Sequence, residues 1–356
     1  MRSNTLGRVA LLAASAVLVC SVAFAQSTAS FTQTEPNSRG SMLKPQLVTS
    51  FEWDSTHQLF AESITAGRDG NLYLGVSDNL PSGRCQIVRF TPDGKQKKVV
   101  ANFPPEICAN GFLLGVAFDE ENRLHVAVDS GSPGPSPGVY RVGDDGAITR
   151  VLSLPADSFP NGLAFYDGDM YVSDTTLGAI WKKRPHDSTV ATVPWYQNIS
   201  LLAPSGFGAN GIAFYQNTLY IGVYCADTGT ECSTGSMVRL PILHDGSPGV
   251  LEIVVQPDPR LAGVDGIAFD VTGRIWFTVN YGSDGLGGKL GTLDEDGKLR
   301  ILADSPGWLD YPTMVVFGTT FWTRETLYLT NCGLNGGQSN VLSFNVGVPG
   351  LPLPAH

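Results

Sequence analysis

The chain has 356 residues, among them 41 glycines and 23 prolines, and a formal net charge of −10. That acidity argues against nucleic acid or an anionic membrane surface as partner. The length admits two domains, but a repeat runs across most of it, so one domain is expected.

Residues 1–25 read as a secretory signal: Arg2 and Arg8, an apolar run over Val9–Val19, and Ala23-Phe24-Ala25 as a small-x-small cleavage site. The apolar run is too short to span a bilayer, and no later segment is long and apolar enough. A secreted protein, extracellular or periplasmic, is expected, with no membrane partner. Residues 26–45 are rich in Ser, Thr, Gln and Pro and read as a flexible lead-in. Residues 46–347 carry the repeat, and 348–356 form a C-terminal tail.

Six short phrases follow in order: ESITA (62–66), LGVAF (114–118), NGLAF (161–165), NGIAF (210–214), DGIAF (265–269) and TMVVF (313–317). Most are followed by a second strand-like run, such as RLHVAV, DMYVSD, TLYIGV and RIWFTV. The opening residues are spaced 52, 47, 49, 55 and 48 apart. A strand-rich repeat of about 50 residues predicts an all-β, six-bladed β-propeller, with four antiparallel strands per blade. The turns that punctuate it, Asp69-Gly70, Asp93-Gly94, Asp145-Gly146, Gly168-Asp169, Asp245-Gly246 and Asp296-Gly297, suit hairpins. After Thr313 the chain supplies three strands. Leu47–Trp53 is expected to complete the last blade, closing the ring with strands from both termini and hiding an edge.

Five cysteines follow the signal. Cys85 with Cys108 and Cys225 with Cys232 each bracket one connection, so both pairs are expected as disulfides with Cys332 free. Asn198-Ile199-Ser200 is a glycosylation acceptor only in a eukaryotic secretory route.

Radial repetition brings equivalent positions around one axis, so Glu62, Asn161, Asn210 and Asp265 are expected to converge. Two carboxylates and two carboxamides form an all-oxygen set carrying −2, the preference of one hard divalent cation, Ca2+ first. Zinc or copper would recruit His or Cys. Taken singly, Asn or Asp before Gly usually makes a turn; the shared register favours the metal reading. Asp78, Asp129, Asp174, Tyr224, Asn280, Tyr281 and Asn331 end the second strands on the same face. Of these, Asp174, Asn280 and Tyr281 are the candidate substrate contacts, although Asp174 also reads as a turn residue.

The stretches NGLAFYDGDMYVSDTTLGAIWK and DGIAFDVTGRIWFTVNYG resemble the regucalcin/gluconolactonase (senescence marker protein-like) superfamily, over most of 60–332. Its relatives include diisopropylfluorophosphatase, paraoxonases and strictosidine-synthase-like proteins. The resemblance implies a calcium ion in the central channel held by Glu62, Asn161, Asn210 and Asp265, with Asp265 as general base or nucleophile. It also places Leu114 where gluconolactonase-type members often carry a substrate-facing Asn; Asn110 substitutes only if its loop is shifted.

The expected function is a calcium-dependent hydrolase of lactones or related esters, acting as a monomer on a small-molecule substrate. The alternatives are a non-catalytic propeller that binds a small molecule or protein on its polar face, and a strictosidine-synthase-like enzyme. Gly134-Pro135-Ser136-Pro137-Gly138 matches a nucleophile elbow only in letters. His125 in its strand reads as a buried histidine or a channel base.

Overall fold

The computed structural model describes residues 43–353 except 53–57, 79–83, 109–110, 132–136, 204, 228–231, 283–284, 286, 305–306 and 335–337. The expected signal and most of the lead-in, together with Asn110, Trp53 and Gly134–Ser136, lie outside the described residues.

Strands are favoured because apolar residues alternate along them and glycine turns separate them. Among the described residues they form six four-stranded antiparallel sheets, each in sequential order except the last. The inner strands are Leu59–Ala66, Phe112–Phe118, Pro160–Tyr166, Ala209–Tyr215, Val264–Phe269 and Pro312–Phe317. The second strands are Leu72–Asp78, Leu124–Asp129, Asp169–Asp174, Thr218–Val223, Ile275–Val279 and Thr326–Asn331. Helix is confined to single turns such as Pro105–Cys108. In the last sheet the outermost strand is Gln46–Ser50, paired antiparallel with Asn340–Asn345. Hydrophobic burial divides into packets between neighbouring blades. Ile64, Leu74 and Phe90 of the first blade, for example, pack with Tyr328 and Val341 of the sixth.

Each inner strand breaks register with its neighbour around the opening residue of its phrase: between Ala61 and Ser63, Leu113 and Val116, Pro160 and Leu163, Ala209 and Ile212, Val264 and Ile267, and Pro312 and Val315. A bulge re-aims a side chain that regular pleating would send elsewhere. Hydroxyls from second strands hold several of these irregularities. Ser173 Oγ accepts from Gly162 N at 2.8 Å and donates to Asn210 O in the next blade at 2.5 Å. Thr278 Oγ1 accepts from Gly266 N and donates to Thr313 O at 2.8 Å. Thr313 Oγ1 in turn donates to Glu62 O at 2.5 Å, tying the sixth blade to the first.

The glycine after the opening residue lets adjacent inner strands touch backbone to backbone. A Cβ at Gly162 would lie 2.7 Å from Asn210 O, and one at Gly211 would lie 2.1 Å from Asp265 O. The same interlock therefore fixes both the ring and the residues that face its axis.

Candidate metal and substrate site

The opening side chains meet at the floor of a cavity of about 390 Å3 at one end of the central channel. Glu62, Asn161, Asn210 and Asp265 line it together with Asn280 and Tyr281, so six of the seven expected site residues are brought together. A smaller chamber of about 20 Å3, lined by Glu62, Asn161, Asp265 and the glycines of the interlock, lies against the same residues. It has room for about one water-sized species.

The floor is electrostatically unbalanced. Asp265 is 7 % exposed. Its carboxyl is held well above the ordinary carboxylate range, first by burial and then by the neighbouring Glu62, against an opposing hydrogen bond from Asn280. That bond runs from Asn280 Nδ2 to Asp265 Oδ2 at 3.0 Å, while a second Asn280 Nδ2 bond to Pro312 O fixes the amide. Glu62 is pushed up to about 7 by burial, opposed by the Cys332 thiol, which donates to Glu62 Oε2 at 3.0 Å. Asn210 is almost fully buried, and its Oδ1 has no hydrogen-bond partner. Among the described residues no Lys, Arg or His lines the cavity. Two close carboxyls and an orphaned carbonyl oxygen, with no protein cation to answer them, match the donor set of a hard divalent ion. Among the described residues no three His, Cys, Asp or Glu side chains are placed to hold a metal ion by themselves, so the donors available are carboxamides as well as carboxylates.

Asp174, expected as a substrate contact, does not line the cavity. It is fully buried, and its carboxylate accepts hydrogen bonds from Phe159 N, Thr176 Oγ1, Leu177 N and Trp181 Nε1. Oδ1 takes the two main-chain amides and the threonine hydroxyl and Oδ2 takes the indole, so the carboxylate serves its own blade. Asp78 and Asn331 are likewise engaged, with Gln58 N and with Asp310 N, Trp308 O and Asn340 Oδ1. Asp174→Ala is expected to lower unfolding free energy by about 3–5 kcal/mol, since a buried hub is removed and its donors are left unmatched. A urea midpoint measurement reads this. His125 is a buried histidine remote from the cavity, its pKa lowered to about 4 by desolvation, and its ring lies against Phe165.

The cysteines pair as expected: Cys85 with Cys108 and Cys225 with Cys232, leaving Cys332 buried and outside either disulfide. Sequence reading did not place Cys332 in the cavity. It also missed an aromatic tier above the polar floor, formed by Phe60, Phe112, Phe159, Phe207 and Tyr311 with Tyr281. A signal for it was present, because Phe60, Phe112, Phe159 and Tyr311 all stand two residues before their phrase openings.

Fold and site thus define a six-bladed propeller with an oxygen-rich centre at one channel mouth. The chain belongs to the SMP-30/gluconolactonase/LRE-like family, whose model matches residues 84–333. Among solved structures it is similar to regucalcin from Agrobacterium tumefaciens, described as a calcium-binding protein. They share 17% identity over 88% of this chain and 97% of that one, with a TM-score of 0.59. A putative oxidoreductase (glucose dehydrogenase) from Thermus thermophilus shares 17% identity over 85% and 99%, with a TM-score of 0.56. Virginiamycin B lyase from Staphylococcus aureus shares 16% over 85% and 99%, with a TM-score of 0.51. At these identities the likeness is one of fold. No curated protein matches the chain in sequence.

Proposed function

We propose that this protein is a calcium-dependent hydrolase of lactones or related esters. The observation that carries the reading is the floor itself: a buried, unpartnered Asn210 Oδ1 beside two carboxyls that repel each other, with no cationic side chain among the described residues that line the cavity. Glu62, Asn161, Asn210 and Asp265 are the residues that would hold the ion. When bound, the cation supplies Lewis-acid polarisation of the substrate's carbonyl oxygen.

The chain's own residues account for the remainder. Asn280 fixes Asp265 through Oδ2, and Oδ1 accepts no hydrogen bond among the described residues. That oxygen is available either to attack the acyl carbon or to take a proton from an attacking water as the ring C–O bond breaks. The aromatic tier surrounds a buried floor, where low dielectric strengthens each charge interaction. The two disulfides fit the expected export to an oxidising compartment.

A screen of lactones, aryl esters and phosphotriesters with calcium and with a chelator tests the reading. Hydrolysis that the chelator abolishes is expected. No turnover of any of them with calcium bound would shift the assignment to a ligand-binding propeller.

The raised carboxyls also give a pH signature in the cation-free protein. Glu62 titrates near 7 when folded and near 4.5 when unfolded, so over that window the folded state holds more protons. Stability must then be greatest below about pH 4.5 as far as this group is concerned, and fall as pH rises through 7. We expect Tm in chelator to decline across that window by more than in Glu62→Gln, and added calcium to flatten the slope. Identical slopes for both proteins would show that Glu62 is not held in this environment.

A further inference from the structure

The cavity wall differs in chemistry from its floor. Each of the six blades contributes an aromatic ring. Phe60 meets Phe112 edge-on with centroids 6.3 Å apart, and Phe159 meets Phe207 at 6.3 Å. Phe207 then leads through Tyr224 to Tyr281 and Tyr311, with successive centroids 5.6, 6.4 and 5.3 Å apart. Gly208 in the fourth blade and Gly263 in the fifth stand where the other four blades have Phe or Tyr, and Gly263 is in the left-handed region. With φ at +84°, a Cβ there would lie 2.8 Å from Tyr281 Cδ2, so the missing side chain makes space for the Tyr281 ring. Leu114 and Leu334 complete the apolar lining.

The wall's three tyrosine hydroxyls answer one another, which leaves Ser205 Oγ as the one lining hydroxyl among the described residues without a partner. Tyr311 Oη lies 3.3 Å from both Tyr224 Oη and Tyr281 Oη. A substrate bearing several hydroxyls would set most of them against rings, without partners, which is costly in a desolvated site. An anionic substrate would find two carboxyls on the floor and no cation among the described lining residues. The volume is in the range of small-molecule sites, and such sites gain affinity chiefly from apolar contact around a few polar groups.

We infer that the substrate is a neutral lactone or ester carrying an aromatic or other bulky apolar substituent, and that Phe159 and Phe207 are specificity-determining residues which pack that substituent. This rests on the hydrolase reading and narrows it, since polyhydroxylated sugar lactones are disfavoured.

The decisive comparison uses two δ-lactones with the same reacting ring: 6-phenyl-δ-valerolactone and D-glucono-δ-lactone. With calcium present, kcat/KM should favour the phenyl compound by about a hundred-fold, because each group buried in an apolar pocket discriminates by roughly tenfold or more. Phe159→Ser should narrow that ratio about tenfold through KM, and Phe159→Leu should keep most of it. Equal rates, or a preference for the sugar lactone, would overturn the inference. So would a phenyl preference that Phe159→Ser leaves intact in a folded protein. If neither lactone turns over, the hydrolase reading fails on these compounds, and the Tm shift given by the two corresponding lactams decides the substrate class. Stabilisation by the phenyl lactam alone sustains it; any other pattern refutes it.

Discussion

Asp265→Asn should lose at least about a thousand-fold in kcat on any substrate the wild type hydrolyses, while the folded ring persists. The amide keeps one oxygen for Asn280 Nδ2 and for a cation, but it neither accepts a proton nor attacks a carbonyl. The same substitution has a second, opposite effect. Asp265 is buried beside Glu62, and its carboxyl is raised well above the usual range. A raised carboxyl favours the folded state at low pH and penalises it as pH climbs past the unfolded value. Removing the ionisable group removes that penalty, so in chelator at neutral pH the variant should melt higher than wild type. Steady-state kinetics and thermal unfolding on one preparation read both effects. Full turnover by the variant would dispose of the assigned role. A lower Tm in chelator would show that the buried charge is compensated by something else.

The second large effect concerns the interlock. Gly211→Ala should destabilise the fold by about 3 kcal/mol or more, because overpacking against immovable atoms is among the costlier core changes. The new methyl would stand 2.1 Å from Asp265 O and 3.0 Å from its carbonyl carbon. Both belong to the main chain of the next inner strand, so relief requires two blades to part. Cation affinity should fall with stability, since Asp265 is the residue displaced. Gly168→Ala is the control. Gly168 has φ +76° and nothing within 4 Å, so its cost is conformational only, about 1 kcal/mol. Urea midpoints that fell equally for the two variants would show that the close approach does not constrain the ring.

The contrast between these glycines marks what was legible in the sequence. Blade number, strand pairing within blades and the four opening oxygens all follow from one period, because a propeller repeats the same environment at the same register. The disulfides followed from cysteines bracketing single connections. What period alone could not supply was the partner of each polar group. Asp174 and Asn280 both close second strands on the same face, yet one is consumed by Trp181 and three other donors while the other reaches Asp265. That outcome depends on loops that differ from blade to blade. Cys332 was hidden for a related reason: its place beside Glu62 is a contact between the sixth blade and the first, separated by 270 residues. The aromatic tier was visible as a register two residues upstream of four openings, and was lost in the fourth and fifth blades, where Gly208 and Gly263 leave the role to Phe207 and Tyr281.

The irregularity at each opening residue has an evolutionary consequence. In most blades it is anchored by main-chain atoms, a following glycine and hydroxyls of neighbouring strands, and the opening side chain itself is not part of the anchorage. Thr313 is the exception, since its hydroxyl is one of the anchors. Five positions around the axis therefore behave as interchangeable sockets, in which the chemistry of the occupant is nearly independent of the scaffold's integrity. Leu114 already occupies one of them without contributing an oxygen. Single-codon changes at such positions can retool the centre, adding, deleting or softening a donor, without first passing through an unfolded intermediate genotype.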